Sequence, residues 1–364
     1  NQSTSRGIRG GCFTTAPIIA PASSPGGGRP SRAEQWGAFP QRTVAGSPRC
    51  GRQLPRFASL ATVTLTRHLD DLAAQSRWTY RAGGSSFTEP AALAAIALSA
   101  HRRRAAAMGP ARWLAEMQQP NGAVGVAAGE PSPAWPTALA LLAWSLVDRG
   151  ARTRQFDGPV RRAAAWSLAA RGKPGERSEH IGHNPTIPGW LWAADTASWL
   201  EPTCFFVLGL PAAGYRRHRR VLDGAQLIAD RLLPSGGANY GNTIVLGQEL
   251  LPHLAPSGLA LATLALVATE QPLHNLGPRL RKLTAYLADS LDDAPPQSLS
   301  WALIGLTLAG LRPADAEERI AEALVDPRWQ PPGTLELALL LLACEPGFLR
   351  SASDPQPALT STAQ

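Results

Sequence analysis

Lysine is almost missing from this chain: of its 35 basic residues only Lys173 and Lys282 are lysine, and the rest are arginine. That skew points to GC-rich coding rather than to a recognition surface. Cysteine is scarce too. Cys12, Cys50, Cys204 and Cys344 lie far apart, with no CxxC pair and no Cys/His cluster at zinc spacing. Neither a zinc module nor a disulfide framework is implied, and no metal or cofactor is expected. Long apolar runs are lacking: Ala138–Val147 and Leu259–Ala268 reach only about ten residues, short of the ~18–20 that a membrane span needs. Acidic residues are nearly absent from residues 1–56, where eight arginines face Glu34 alone. Most of the net charge of +8 therefore sits in that segment and the remainder is close to neutral. A phosphate-binding field across the body is excluded, and no nucleic-acid partner is expected. The runs His101–Arg104 and Arg216–Arg220 read as solvated helix ends. With no secretory signal legible, a cytoplasmic location with peripheral membrane contact is expected.

Residues 1–56 are rich in Gly, Pro and Ser, without periodicity, and read as a disordered tail. Residues 350–364 read the same way. Between them, residues 57–349 are dominated by Ala, Leu and Arg and carry few β-branched residues, a helical composition.

Repetition organises this body. Phe87-Thr88-Glu89-Pro90-Ala91 precedes an apolar run beginning at Ala92, and Trp199-Leu200-Glu201-Pro202-Thr203 precedes another beginning at Cys204. Trp135-Pro136-Thr137 opens a third, and weaker copies begin at Pro256, Pro296 and Pro332. Proline suits a helix start, where its missing N–H has no partner to lose. A glutamate beside it sits at the positive end of the helix dipole. The helices that follow are apolar nearly all round and need burial on every side. More amphipathic helices alternate with them, over Arg67–Gln75, Ala111–Gln119, Gly158–Ala170, Leu222–Leu232 and Leu280–Leu291. An all-α toroid of about six helix pairs satisfies both demands, with apolar inner helices and amphipathic outer ones; a superhelical solenoid is the rival arrangement.

Trp113-Leu114-Ala115-Glu116-Met117-Gln118-Gln119-Pro120-Asn121-Gly122-Ala123-Val124-Gly125 resembles the repeat of the prenyltransferase/squalene oxidase family, found in squalene-hopene cyclases and protein prenyltransferases. Gln75 with Trp78-Thr79-Tyr80, and Pro234 to Gly241, are further copies, and the resemblance spans residues 58–345. It implies an α/α toroid acting on an isoprenoid, as a cyclase or a transferase. Val124 and Ala238 stand where the repeat carries an aromatic. Of the cyclases' Asp-x-Asp-Asp signature only Asp195 is matched, and the transferases' Asp-x-Cys zinc pair does not occur.

The widest interval between repeat prolines holds Ser178–Glu201, with two histidines, three tryptophans and three acids. Long loops on rigid scaffolds often carry function. Cyclisation of an isoprenoid needs a strong acid and an aromatic cavity that shields a cation from water. Asp195 is the candidate acid, with His183 or Glu201 tuning it, and Trp190, Trp192, Trp199 and Tyr240 are candidate lining residues. Structural roles compete at each position. Asp195 could cap a helix, Glu201 could serve the dipole, and the tryptophans could pack between repeats. Two functions remain open: an isoprenoid enzyme with a carboxylate in a deep apolar cavity, or a non-catalytic toroid that binds a protein or lipid.

Overall fold

The computed structural model describes residues 54–267 and 276–351. The chain runs α1 (Leu54–Ala73), α2 (Thr88–Ala100), α3 (Arg104–Glu116), α4 (Thr137–Ala151), α5 (Asp157–Ala169), α6 (Leu200–Ala212) and α7 (Arg219–Asp230). A two-stranded hairpin follows, β1 (Ile244–Val245) pairing antiparallel with β2 (Gln248–Glu249). Then come α8 (Leu254–Val267), α9 (Leu276–Asp289), α10 (Pro296–Ala309), α11 (Ala316–Val325), α12 (Thr334–Cys344) and the short α13 (Phe348–Ser351). Helix α1 begins inside one stretch expected to be a tail and α13 ends inside the other; the rest of both lies outside the described residues.

The even-numbered helices α2 to α12 form an inner ring. Each packs against the next, and α12 returns to pack against α2. The odd-numbered helices α1 to α11 lie outside, each in contact with two inner neighbours. This is a closed α/α toroid, not an open solenoid. Its logic follows from the residue pattern. From Ala91 to Leu98 no side chain of α2 is more than 2% exposed, so a helix without a polar face is stable only inside such a ring. The outer helices bury one stripe, as Leu280, Leu283 and Leu287 do on α9. The repeat prolines stand within or just before the first helical turn, where backbone N–H groups have no intrahelical partner.

Two glycines let inner helices approach closely. A Cβ on Gly258 of α8 would lie 2.4 Å from the Trp301 carbonyl carbon, and one on Gly305 of α10 would lie 2.5 Å from the Gly258 oxygen.

A hydroxyl latch marks the repeat. Near the start of an inner helix, a Ser or Thr oxygen accepts a backbone N–H from the loop that carries the sequence motif. Val124 donates to Thr137 at 2.8 Å, Trp190 to Thr203 at 3.0 Å, and Ala238 to Ser257 at 2.8 Å. Thr79 donates to Thr334 at 2.9 Å, which closes the ring. The latch uses only the main chain of the loop residue. Val124 and Ala238 therefore serve it without the aromatic side chain of the related repeat.

The opposite face, where inner helices end, is stapled by arginines. Arg149 reaches the Ala212 carbonyl, Arg216 that of Leu266, Arg312 that of Ala343 and Arg350 that of Leu308. Each cation meets the negative pole of a neighbouring inner helix. His101 bonds the Leu341 carbonyl at 2.8 Å. Among the described residues, no helix is long and apolar enough to cross a membrane.

Candidate functional site

All inner helices run the same way, so their N-termini share one mouth. The long connections, residues 74–87, 117–136, 170–199 and 231–253, lie on that side. Glu89 of α2, Glu201 of α6 and Glu336 of α12 stand in first turns. Each is half-buried between two buried sequence neighbours: Thr88 and Pro90, Leu200 and Pro202, Leu335 and Leu337. On helices otherwise enclosed, these carboxyls are the partly accessible side chains of the first turns at the mouth.

Helices α2 and α6 are not ring neighbours, yet the Glu89 charge reaches Glu201. Burial raises Glu89 to a pKa of about 7, opposed by the Tyr80 hydroxyl, which donates to its Oε2 at 2.6 Å. Glu201 also rises to about 7, through burial first and the Glu89 charge second. Helix dipoles favour ionised carboxylates here, but loss of water outweighs them. Tyr80 is pushed well upward by its burial and then by Glu89. The Oε2 atom of Glu336 is enclosed without a hydrogen-bond partner.

Aromatic rings cluster on the same side. Trp135, just before α4, meets Trp192 edge-on at 4.8 Å and stacks on Phe205 at 5.7 Å. Phe205 lies one turn beyond Glu201 and reaches Trp301 of α10 at 6.3 Å, bridging two inner helices that are not ring neighbours. Carboxylic acids that titrate near neutrality, set beside these π faces, can pass a proton and stabilise positive charge.

The residues singled out from sequence are distributed unevenly. Glu201 and Trp192 are at the mouth. Trp199 occupies the N-cap position of α6 and is half-buried. Tyr240 is 44% exposed beside His253, and its carbonyl accepts the Leu200 N–H. Trp190 is 0% exposed, sealed in the wall between the rings. It stacks on Phe206 at 5.1 Å, carries the Arg220 guanidinium at 4.0 Å and donates its indole N–H to Ser167. The Asp195 side chain is 83% exposed and faces Lys173 at 3.2 Å. It lies upstream of α6, whose N-cap position is held by Trp199, so it does not cap that helix. His183 belongs to a separate cleft on the outer wall. Sequence reasoning missed Glu89, Tyr80, Trp135, Phe205, Trp301 and Glu336. The sequence signal for Glu89 is the Glu-Pro step at a helix start that it shares with Glu201, Glu89-Pro90 and Glu201-Pro202, which a dipole role explains equally well.

Cys204 is buried and Cys344 half-buried, both as free thiols. Among the described residues, no group of three His, Cys, Asp or Glu side chains is arranged to hold a metal ion.

No family model matches the chain. No curated protein matches it in sequence. Solved structures do match. Endoglucanase Cel10 from Klebsiella pneumoniae, a family 8 glycosyl hydrolase, aligns with TM-score 0.50 and 12% identity, covering 79% of this chain and 99% of its own. A protein from Actinoplanes aligns at TM-score 0.46 and 15% identity, covering 81% of this chain and 100% of that one. Salmonella alpha-2-macroglobulin reacted with methylamine aligns at TM-score 0.45 and 15% identity, covering 78% of this chain and 17% of that one. The endoglucanase is an α/α toroid, and at this identity the likeness is one of fold. For the resemblance to the prenyltransferase repeat, the helical toroid is what these comparisons support.

Proposed function

We propose that the chain binds an apolar ligand of isoprenoid type at the mouth of the toroid and performs acid–base chemistry on it. The observation that carries this reading is the Glu89–Glu201 pair, raised toward neutrality beside the Trp135, Phe205 and Trp301 rings. Glu201 is the proton donor. Its carboxyl O–H bond breaks as a C–H or O–H bond forms on an alkene or epoxide, leaving carboxylate and a carbocation. Aromatic faces stabilise the cation by roughly 0.5–2 kcal/mol each. Glu89, held by Tyr80, takes a proton from an adjacent carbon and closes the double bond. Exchange with solvent at the mouth restores both groups. Asp195 is not needed in this scheme. Leu246 and Leu251, exposed on the loop before α8, suit peripheral contact with a membrane from which such a ligand would come.

The same pair favours a second reading, hydrolysis of a glycosidic bond. Glu201 would then protonate the leaving oxygen, Glu89 would activate water, and Trp135 and Trp192 would offer sugar-stacking faces. An assay with squalene, its epoxide and linear prenyl diphosphates, run beside soluble β-glucans, separates the two. Turnover of an isoprenoid that drops by roughly 10²–10⁴-fold in Glu201→Gln is expected. Glucan turnover alone would transfer the assignment to the second reading. Saturable binding without turnover in either arm would leave a non-catalytic binding module.

A further inference from the structure

The first half of the Ser178–Glu201 stretch builds a different place from the mouth. Residues 178–187 lie along the outer helix α7 and are tied at both sides. The Asn184 N–H donates to Asp230 Oδ2 at 2.9 Å, and Arg231 donates to both the Asn184 carbonyl and Asp230. On the other side Gly182 donates to the Ile244 carbonyl of the hairpin, while Leu246 donates to that of His180. A Cβ on Gly182 would lie 2.6 Å from that of Ile244, so the loop is seated firmly. Between loop and helix is a cleft of about 380 Å³.

Charge in its walls is paired or absent, apart from one cation at the rim. Asp230 is paired with the buried Arg231 at 2.7 Å. Burial, followed by the Arg231 charge, holds His183 at about 4, so its imidazole is neutral at pH 7. Arg177 at the rim is exposed and flanked in sequence by Glu176 and Glu179. What remains are neutral hydrogen-bonding groups: the Gln226 and Asn184 amides, the Ser178 hydroxyl and the His183 ring. The His183 ring lines the cleft, while its Nδ1 is enclosed within the protein without a partner there. Ile181 and Ile187 add a small apolar floor.

We propose that this cleft is a second binding site, independent of the mouth, for a neutral polyhydroxylated ligand of mono- to disaccharide size. Hydroxyl groups suit amides and a neutral imidazole, and the carbon frame of a sugar suits the isoleucine floor. Apart from Arg177 at the rim, a charged ligand would find no unpaired countercharge among the lining residues.

The test is an amide and imidazole NMR titration of the full chain with methyl glucoside, maltose and cellobiose, with acetate and inorganic phosphate as further arms. Saturable shifts centred on residues 178–187 and 226–230 are expected for at least one sugar. They should weaken at least tenfold in Gln226→Ala and in His183→Phe. Glu201→Gln should leave them unchanged, which separates this site from the mouth. Absence of saturable sugar shifts at the cleft, or shifts unchanged in both cleft variants, would overturn the proposal. Shifts with acetate or phosphate but not with sugars would overturn the neutral ligand class.

Discussion

The two faces of the toroid are made from the same inner helices but spend their ends differently. At the back face, connections are short and terminal carbonyls are met by arginines from neighbouring repeats. At the mouth, long loops arch over helix starts and carboxyls are left half-buried near an aromatic cluster. One face is stapled by cations; the other holds carboxyls whose burial disfavours their charged form. Stability and chemistry are thus divided by helix polarity, since the dipole's positive ends gather where the acids are.

The contrast can be broken most severely in the wall that supports the mouth. Trp190→Ala removes a fully enclosed indole and its stacking on Phe206. A loss of about 3–5 kcal/mol is expected in denaturant unfolding. Next in size is the back face. Arg312→Ala deletes a charged hydrogen bond to the Ala343 carbonyl and should cost roughly 1.5–3 kcal/mol, with mouth chemistry retained.

Titration sharpens the comparison further. Glu89 and Glu201 rise from 4.5 unfolded to about 7 folded, so the folded state binds their protons more tightly. Their contribution to stability is full below about 4.5 and lost as pH rises through 7. His183 falls from 6.5 to about 4, so its contribution is present above 6.5 and lost as pH drops through 4. Thermal melts across pH should flatten between 4.5 and 7 in the Glu89→Gln/Glu201→Gln double variant. A melt profile indistinguishable from wild type would dismiss the coupled pair. The smallest effect is expected from Tyr80→Phe, which removes the hydrogen bond that lowers Glu89. The acidic limb of the rate profile, which Glu89 sets as the base, should move to higher pH, with a rate loss of about fivefold, near 1 kcal/mol.

Architecture was legible because it is written in repeated, strongly apolar helices punctuated by proline, and a helix with no polar face has few places to go. The site was only half legible. Glu201 and Trp192 were found within an unusual loop, but Glu89 lies in a repeat that looked ordinary. The Glu-Pro step serves a helix start equally well with or without chemistry, and only closure of the ring brings two such steps together. Trp190 and Trp192 show a second limit. Two residues apart, they enter the wall and the mouth respectively. Composition could not tell them apart, because the turn after Trp190 is set by the pairing of Trp190 with Trp199. Asp195 drew attention through a partial signature, yet its short loop holds it out toward Lys173 in solvent.

The Thr79–Thr334 latch has a consequence for the protein's birth. Its partners are 255 residues apart in sequence, so a chain made from its N-terminus must hold α1 and α2 for most of its synthesis before α12 arrives. At roughly 5–20 residues per second that interval is tens of seconds or less, far longer than a helix takes to form. During it, the bare flank of α2 is an apolar surface awaiting its last neighbour. The toroid is therefore a ring whose seam joins the most distant parts of the described chain, and it can close only after α12 has emerged.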